Sequence, residues 1–204
     1  MRIGRSGILA LAAAALAGCA SENLALVPAE LPAPPAVAAR PPQGRVGYFI
    51  PVQYRSLVVR GPDGVASHPY RDVEAAYRQM LANVYGDVVR LDTLDQAETM
   101  RVAGVRYVVA PEIDLRTMPA GGAAAWASTV TVEITSNVRC ASGALVASPQ
   151  AVGQSTTGPI ESVLGPGAVG RRAMAEALAK TQAALMDVKL PGGDSGDRCA
   201  APPL

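Results

Sequence analysis

From Ser128 to Cys140 the chain alternates without a break. Val130, Val132, Ile134, Ser136, Val138 and Cys140 share one face, and Thr129, Thr131, Glu133, Thr135, Asn137 and Arg139 share the other. Period two with one apolar side predicts a long strand resting on a core and wetted on its outer face. Ser142-Gly143 then turns the chain back into Ala144–Ser148, and Val152–Thr157 continues the partner strand past Pro149. Two segments show a helical period instead. Val73, Tyr77, Met80, Leu81 and Val84 share a face over Tyr70–Tyr85, with Pro69 near the start and Gly86 at the end. Met174, Ala177, Leu178, Leu185 and Met186 do so over Val169–Asp187, which Pro191-Gly192-Gly193 stops.

Shorter patterns fill the gaps. Val46–Ile50 reads as a buried strand closed by Pro51, Ser56–Val59 as a second short strand, and Asp87–Leu91 as a third. Asp92–Ala103 has acidic residues early and Gly104 just beyond, the pattern of a short helix. Val105–Ile113 is a central strand, followed by a loop with Pro119, Gly121 and Gly122 that leads to Trp126. This order predicts an α/β two-layer sandwich: a mixed sheet of about five strands, two long helices and one short one. The helices cover one sheet face, and the wet side of Ser128–Cys140 leaves the other partly open.

The first residues read differently. Arg2 and Arg5 precede an apolar run, Ile8–Leu16, too short to span a bilayer, with small residues after it. That is a secretory signal over residues 1–18. Residues 19–43 carry Pro28, Pro32, Pro34, Pro35, Pro41 and Pro42 among alanines, a composition that holds no helix and tends to an extended tether. At about 3.1 Å per residue it lifts a domain several nanometres. The domain itself spans residues 44–190, and 191–204 form a tail.

Of the 204 residues 50% are apolar, a figure inflated by alanine in the signal and tether. The formal net charge of +1 gives no electrostatic case for nucleic acid or for a polybasic membrane patch. Six tyrosines stand against one Trp and one Phe, so the core must be mainly aliphatic. In an oxidising compartment Cys140 and Cys199 have two readings: a bridge pinning the tail to the long strand, or two unrelated thiols. Closing a loop of about 60 residues is worth on the order of 4 kcal/mol, and an exposed tail thiol is chemically awkward there, which favours the bridge.

Candidate chemistry is sparse. Gly165-x-Gly167-x-x-Gly170 precedes a helix, but a dinucleotide fingerprint needs a strand immediately ahead of it, and Pro159–Leu164 is a poor one. His68 is the sole histidine, which excludes sites needing two His ligands. Glu112 and Asp114 flank Ile113 on one strand face and form a carboxylate pair, or simply solvated strand-end charges. No cofactor or metal is expected, and no enzyme. Tyr54, Tyr70 and Trp126 lie near loops and are candidates for partner contact, since amphipathic aromatics suit interfaces.

Leu16-Ala17-Gly18-Cys19 resembles the bacterial lipobox. The resemblance implies export, cleavage before Cys19, palmitate-class acyl chains on that cysteine and anchoring to a membrane. An ordinary cleavable signal with a chance cysteine is the other reading. The cysteine's place at the expected cut, ahead of a tether, favours the lipobox. Ala20 rather than Asp after the cysteine implies, by the same resemblance, the outer membrane. Gly44–Asp187 further resembles a family of small, largely uncharacterised proteobacterial lipoproteins. The resemblance is carried by Val46–Ile50, Tyr70-Arg71-Asp72-Val73-Glu74, Val105–Ile113 with Ala110-Pro111-Glu112, and Ala173-Met174-x-Glu176-Ala177-Leu178. The element order is similar to YajG-like lipoproteins and to the α/β domains of curli-secretion and peptidoglycan-synthase-activator lipoproteins. These resemblances imply an anchored, periplasm-facing, non-catalytic protein that binds another envelope component or itself, as an assembly or transport accessory. A small-ligand or glycan-binding module is the alternative; a concave pocket lined by tyrosines and Trp126 would favour it, a flat apolar patch a protein partner.

Overall fold

A computed structural model of the chain describes residues 45–60, 66–93, 100, 102–119, 128–157, 167–191 and 199. Its elements are β1 (Arg45–Phe49), α1 (Val52–Arg55), β2 (Val59–Arg60), β3 (Ala66–Ser67), α2 (Pro69–Tyr85) and β4 (Val88–Leu91). They continue with β5 (Val105–Pro119), β6 (Ser128–Cys140), β7 (Leu145–Ala147), β8 (Gln150–Thr156) and α3 (Ala168–Asp187). The fold class is as the pattern predicts, a mixed α/β sandwich. Six strands form the main sheet in the order β4-β1-β5-β6-β7, with β8 also paired to β6.

Parallel pairing joins β1 to β4 and β5, because the crossover from β1 through α2 returns the chain in the same direction. The pairs β5–β6 and β6–β8 are antiparallel. The even residues of β6 from Val130 to Cys140 are buried, and the odd ones stay partly wet, as the alternation predicts. Val73, Tyr77, Met80, Leu81 and Val84 of α2 meet Ala173, Met174, Ala177, Leu178 and Leu185 of α3 over that apolar side in one core. Ser136, wholly buried in this core, is satisfied by the hydroxyl of Tyr77 at 2.9 Å. A smaller cluster of Leu91, Met100, Val105 and Val108 covers part of the opposite face.

Two expectations need correction. The segment after Ile113 is not loop: β5 runs on to Pro119, since Asp114–Pro119 stays in register with Ser128–Glu133 of β6. Ser56–Val59 is not a strand of the sheet; Val52–Arg55 makes one helical turn and Val59–Arg60 pairs instead with Ala66–Ser67 in a separate two-stranded ribbon. The short helix expected over Asp92–Ala103 lies for the most part outside the described residues, and the one short helix that is described is α1.

Candidate binding site

The unequal lengths of β1 and β5 create the site. β1 has five residues and β5 fifteen, and their pairing ends at Tyr48 and Val109. Pro51 cannot donate to a ladder, so the chain leaves the sheet after Ile50 and turns into α1. That turn sets Tyr54 against Tyr70 in the first turn of α2, with ring centroids 5.1 Å apart and planes 24° from parallel. The Tyr70 hydroxyl accepts the Ile113 N–H at 2.8 Å, standing in for the strand that β1 no longer supplies. Burial pushes the Tyr70 phenol above its ordinary value, against the opposing effect of the Ile113 hydrogen bond.

Beside this pair lies an open recess of about 240 Å³ lined by Tyr54, Tyr70, Glu112, Ile113, Asp114, Glu133 and Thr135. Its acids come from the wet faces of β5 and β6, brought side by side by the pairings Glu112↔Thr135 and Asp114↔Glu133. Glu112 accepts a hydrogen bond from Asn137 at 2.8 Å, and Glu133 accepts one from Gln150. Asp114 pairs with Arg116 at 2.5 Å, and the same guanidinium reaches Glu133 at 4.0 Å. The Asp114 hydrogen bond and charge hold Arg116 above its ordinary value. Three carboxylates thus face one cation. Next to Tyr54 in the chain, Val52, Leu57 and Val58 are 72%, 40% and 42% exposed, which leaves an apolar shoulder in solvent.

Of the residues singled out from sequence, Tyr54 and Tyr70 come together with Glu112 and Asp114. Tyr70 is only 4% exposed, so it offers the recess a wall rather than a free ring, whereas Tyr54 is 36% exposed. Cys140 and Cys199 are bonded, with Cα atoms 5.0 Å apart, and the bridge reading holds. Cys19 and Trp126 lie outside the described residues, as does Gly165; Gly167 precedes α3 and Gly170 is buried within it. His68 caps the start of α2, its backbone N–H on the Asp72 carboxylate at 3.1 Å. Glu133 and Thr135 went unremarked in the sequence beyond their place on a wet strand face, because only the β5–β6 register puts them beside Glu112 and Asp114.

Among the described residues no group of three or more His, Cys, Asp or Glu is placed to hold a metal, and no helix is long and apolar enough to cross a membrane. The arrangement is that of an α/β domain with an acidic, tyrosine-walled recess at a partly unpaired strand. No family model matches the sequence, and no curated protein matches it. Among solved structures the chain is similar to a minor lipoprotein from Acinetobacter baumannii at 10% identity and a TM-score of 0.44, over 68% of this chain and 89% of that one. It is similar to a Xanthomonas campestris protein of the DUF330 family at 16% identity and a TM-score of 0.47, over 75% and 89%. A PelC dodecamer from Paraburkholderia phytofirmans matches at 22% identity and a TM-score of 0.40, over 76% and 96%.

Proposed function

We propose that the chain is an acyl-anchored outer-membrane lipoprotein facing the periplasm. Its α/β domain binds a protein of the envelope, without catalysis, as an assembly or transport accessory. The anchor rests on Arg2, Arg5, the apolar run Ile8–Leu16 and Leu16-Ala17-Gly18-Cys19. Two or more acyl chains, each adding roughly 0.8 kcal/mol per buried methylene, hold a soluble domain firmly on a bilayer. Cys19→Ala abolishes acyl labelling and releases the protein from membranes; labelling that persists would refute the anchor.

The observation that carries the binding role is the coincidence of a stretch of β5 that no described strand pairs, an aromatic wall beside it and, flanking Tyr54 in the chain, the exposed Val52, Leu57 and Val58. Contiguous exposed apolar groups beside a polar rim mark interaction surfaces. The size of this recess weighs against a small ligand held there. Pockets for drug-sized ligands run from about 300 Å³ upward, while this recess holds about 240 Å³ and stands open. It suits one side chain of a partner. Glu112 and Asp114 are exposed, and each is already engaged, by Asn137 and by Arg116. Crosslinking of the anchored protein in cells, with mass spectrometry of the products, tests the role. A reproducible envelope protein captured through residues 52–58 or β5 is the expected result. Capture of none, with a cell-wall fragment bound instead, overturns it.

A further inference from the structure

The sheet finishes its two long edges differently. On β8 two outward backbone groups at the middle of the strand are already used. Gln154 donates its N–H to Glu176 at 2.9 Å, Lys180 donates to the Val152 carbonyl at 2.9 Å, and Glu176 and Lys180 are themselves paired at 2.7 Å. An edge capped by its own charged side chains is closed to a further strand. On β5, among the described residues, the corresponding protection is one hydroxyl, that of Tyr70 on Ile113. Backbone direction alternates along a strand, so Pro111, Leu115, Thr117 and Pro119 present their edge to the same side as Ile113. Among the described residues no strand pairs with β5 there. Pro111 and Pro119 carry no N–H. They and Tyr70 leave a short window at Leu115–Thr117.

We propose that this window takes an extended, basic segment of a protein partner as an added strand, with one Lys or Arg of that segment seated in the Tyr54–Tyr70 recess. The inference rests on the binding role proposed above and names the class of partner. Main-chain bonds to Leu115 and Thr117 supply docking, and alternate side chains supply selection, the usual division in strand addition. Selection falls to charge: Glu112, Asp114 and Glu133 outnumber Arg116 around the recess. An acidic segment would be repelled from the same position.

The test uses the full anchored chain in cells with a photo-crosslinking amino acid at Met118, which is 65% exposed on β5, and a control at Thr156 on the capped β8 edge. The expected product at Met118 is a partner peptide rich in Lys or Arg; Thr156 yields none. Thr117→Pro removes the edge N–H at a position where an edge strand tolerates proline, and it abolishes the product. A triple variant, Glu112→Gln with Asp114→Asn and Glu133→Gln, keeps side-chain size. It weakens binding of the captured segment, made as a synthetic peptide, by roughly ten-fold in fluorescence anisotropy. Circular dichroism confirms that both variants fold. A product that is neutral or acidic, a product from a second copy of this chain, or one that survives both variants overturns the inference. Capture through residues 52–58 with none at Met118 would leave the accessory role standing and remove the strand-addition mechanism alone.

Discussion

Gly153 lies in the middle of β8, beneath α3, and Gly153→Ala should be among the most damaging single-methyl changes in the domain. A Cβ built there would sit 2.0 Å from the Ala173 carbonyl oxygen and 2.5 Å from the Ala177 nitrogen. Both are helix backbone, so no rotamer change relieves the clash. Restoring ordinary contact at 3.4 Å requires α3 to lift by about 1.4 Å. A gap of 0.5–1 Å already forfeits roughly a quarter to a half of a dispersion contact, and Ala173, Met174, Ala177 and Leu178 lie fully buried along that interface. Lifting the helix also strains the Glu176 and Lys180 bonds to Gln154 and Val152. Overpacking costs about 1–3 kcal/mol in general, and this case belongs at the upper end, about 3 kcal/mol. For a domain of this size that lowers Tm by roughly 10 °C, measured by circular dichroism on the mature domain. Gly47→Ala is the control: its Cβ would meet the Leu91 side chain at 2.6 Å, which can turn away, and the loss is smaller. Gly→Ala at a compatible backbone position normally stabilises by about 0.4–1 kcal/mol through the unfolded chain. An unchanged or raised Tm for Gly153→Ala would therefore refute the close approach of α3 to β8.

Reduction of the Cys140–Cys199 bond, which closes a separation of 59 residues, lowers stability by on the order of 4 kcal/mol. The urea midpoint of the wild type falls with reductant, and that of a Cys140→Ala, Cys199→Ala double variant does not respond. Tyr77→Phe leaves the wholly buried Ser136 hydroxyl without its 2.9 Å partner and costs about 1–2 kcal/mol; adding Ser136→Ala recovers part of the loss in the same urea assay. Burial pushes the Tyr77 phenol well above its ordinary 10.0, and burial with the neighbouring Glu74 raises that of Tyr48. A raised folded pKa gives stability that is complete below the unfolded value and lost as pH climbs, so the urea midpoint declines above about pH 10, less steeply in Tyr77→Phe. On the acid side, Lys180 foremost and the Gln154 N–H lower the pKa of Glu176 below its ordinary 4.5. Its contribution is present above that value and fades as pH falls; Glu176→Gln should flatten that part of the acid limb.

The periodic elements could be read directly from the chain. Ser128–Cys140 coincides with β6, and α2 and α3 begin within one residue of the positions that their apolar stripes mark, because these segments bury one full face and their pattern records it. The extension of β5 could not be read this way. Glu112, Asp114, Arg116 and Met118 are exposed, and only pairing with β6 holds them extended. Proline at 119 reads as a loop signal, yet on an edge to which no described strand pairs its missing N–H costs no ladder bond. The recess escaped detection for a similar reason. Tyr54 and Tyr70, Glu112 and Asp114, and Glu133 and Thr135 come from four elements, and each pair is unremarkable until topology and register bring them together.

The open stretch of β5 is more than the frayed end of a long strand. A fold that merely let β5 outrun β1 would leave a row of donors and acceptors from Ala110 to Pro119, an invitation to edge-to-edge association. Instead Pro111 removes one donor, the Tyr70 hydroxyl occupies the next at Ile113, and Pro119 removes the last. What is left is too short for indiscriminate pairing, since two residues offer few main-chain bonds. Discrimination among occupants must then come from their side chains, and the groups that meet them are the carboxylates of the recess and its tyrosine wall. A narrow window beside a charged pocket thereby converts a general liability of strands into selectivity for a segment with the right cation at the right position.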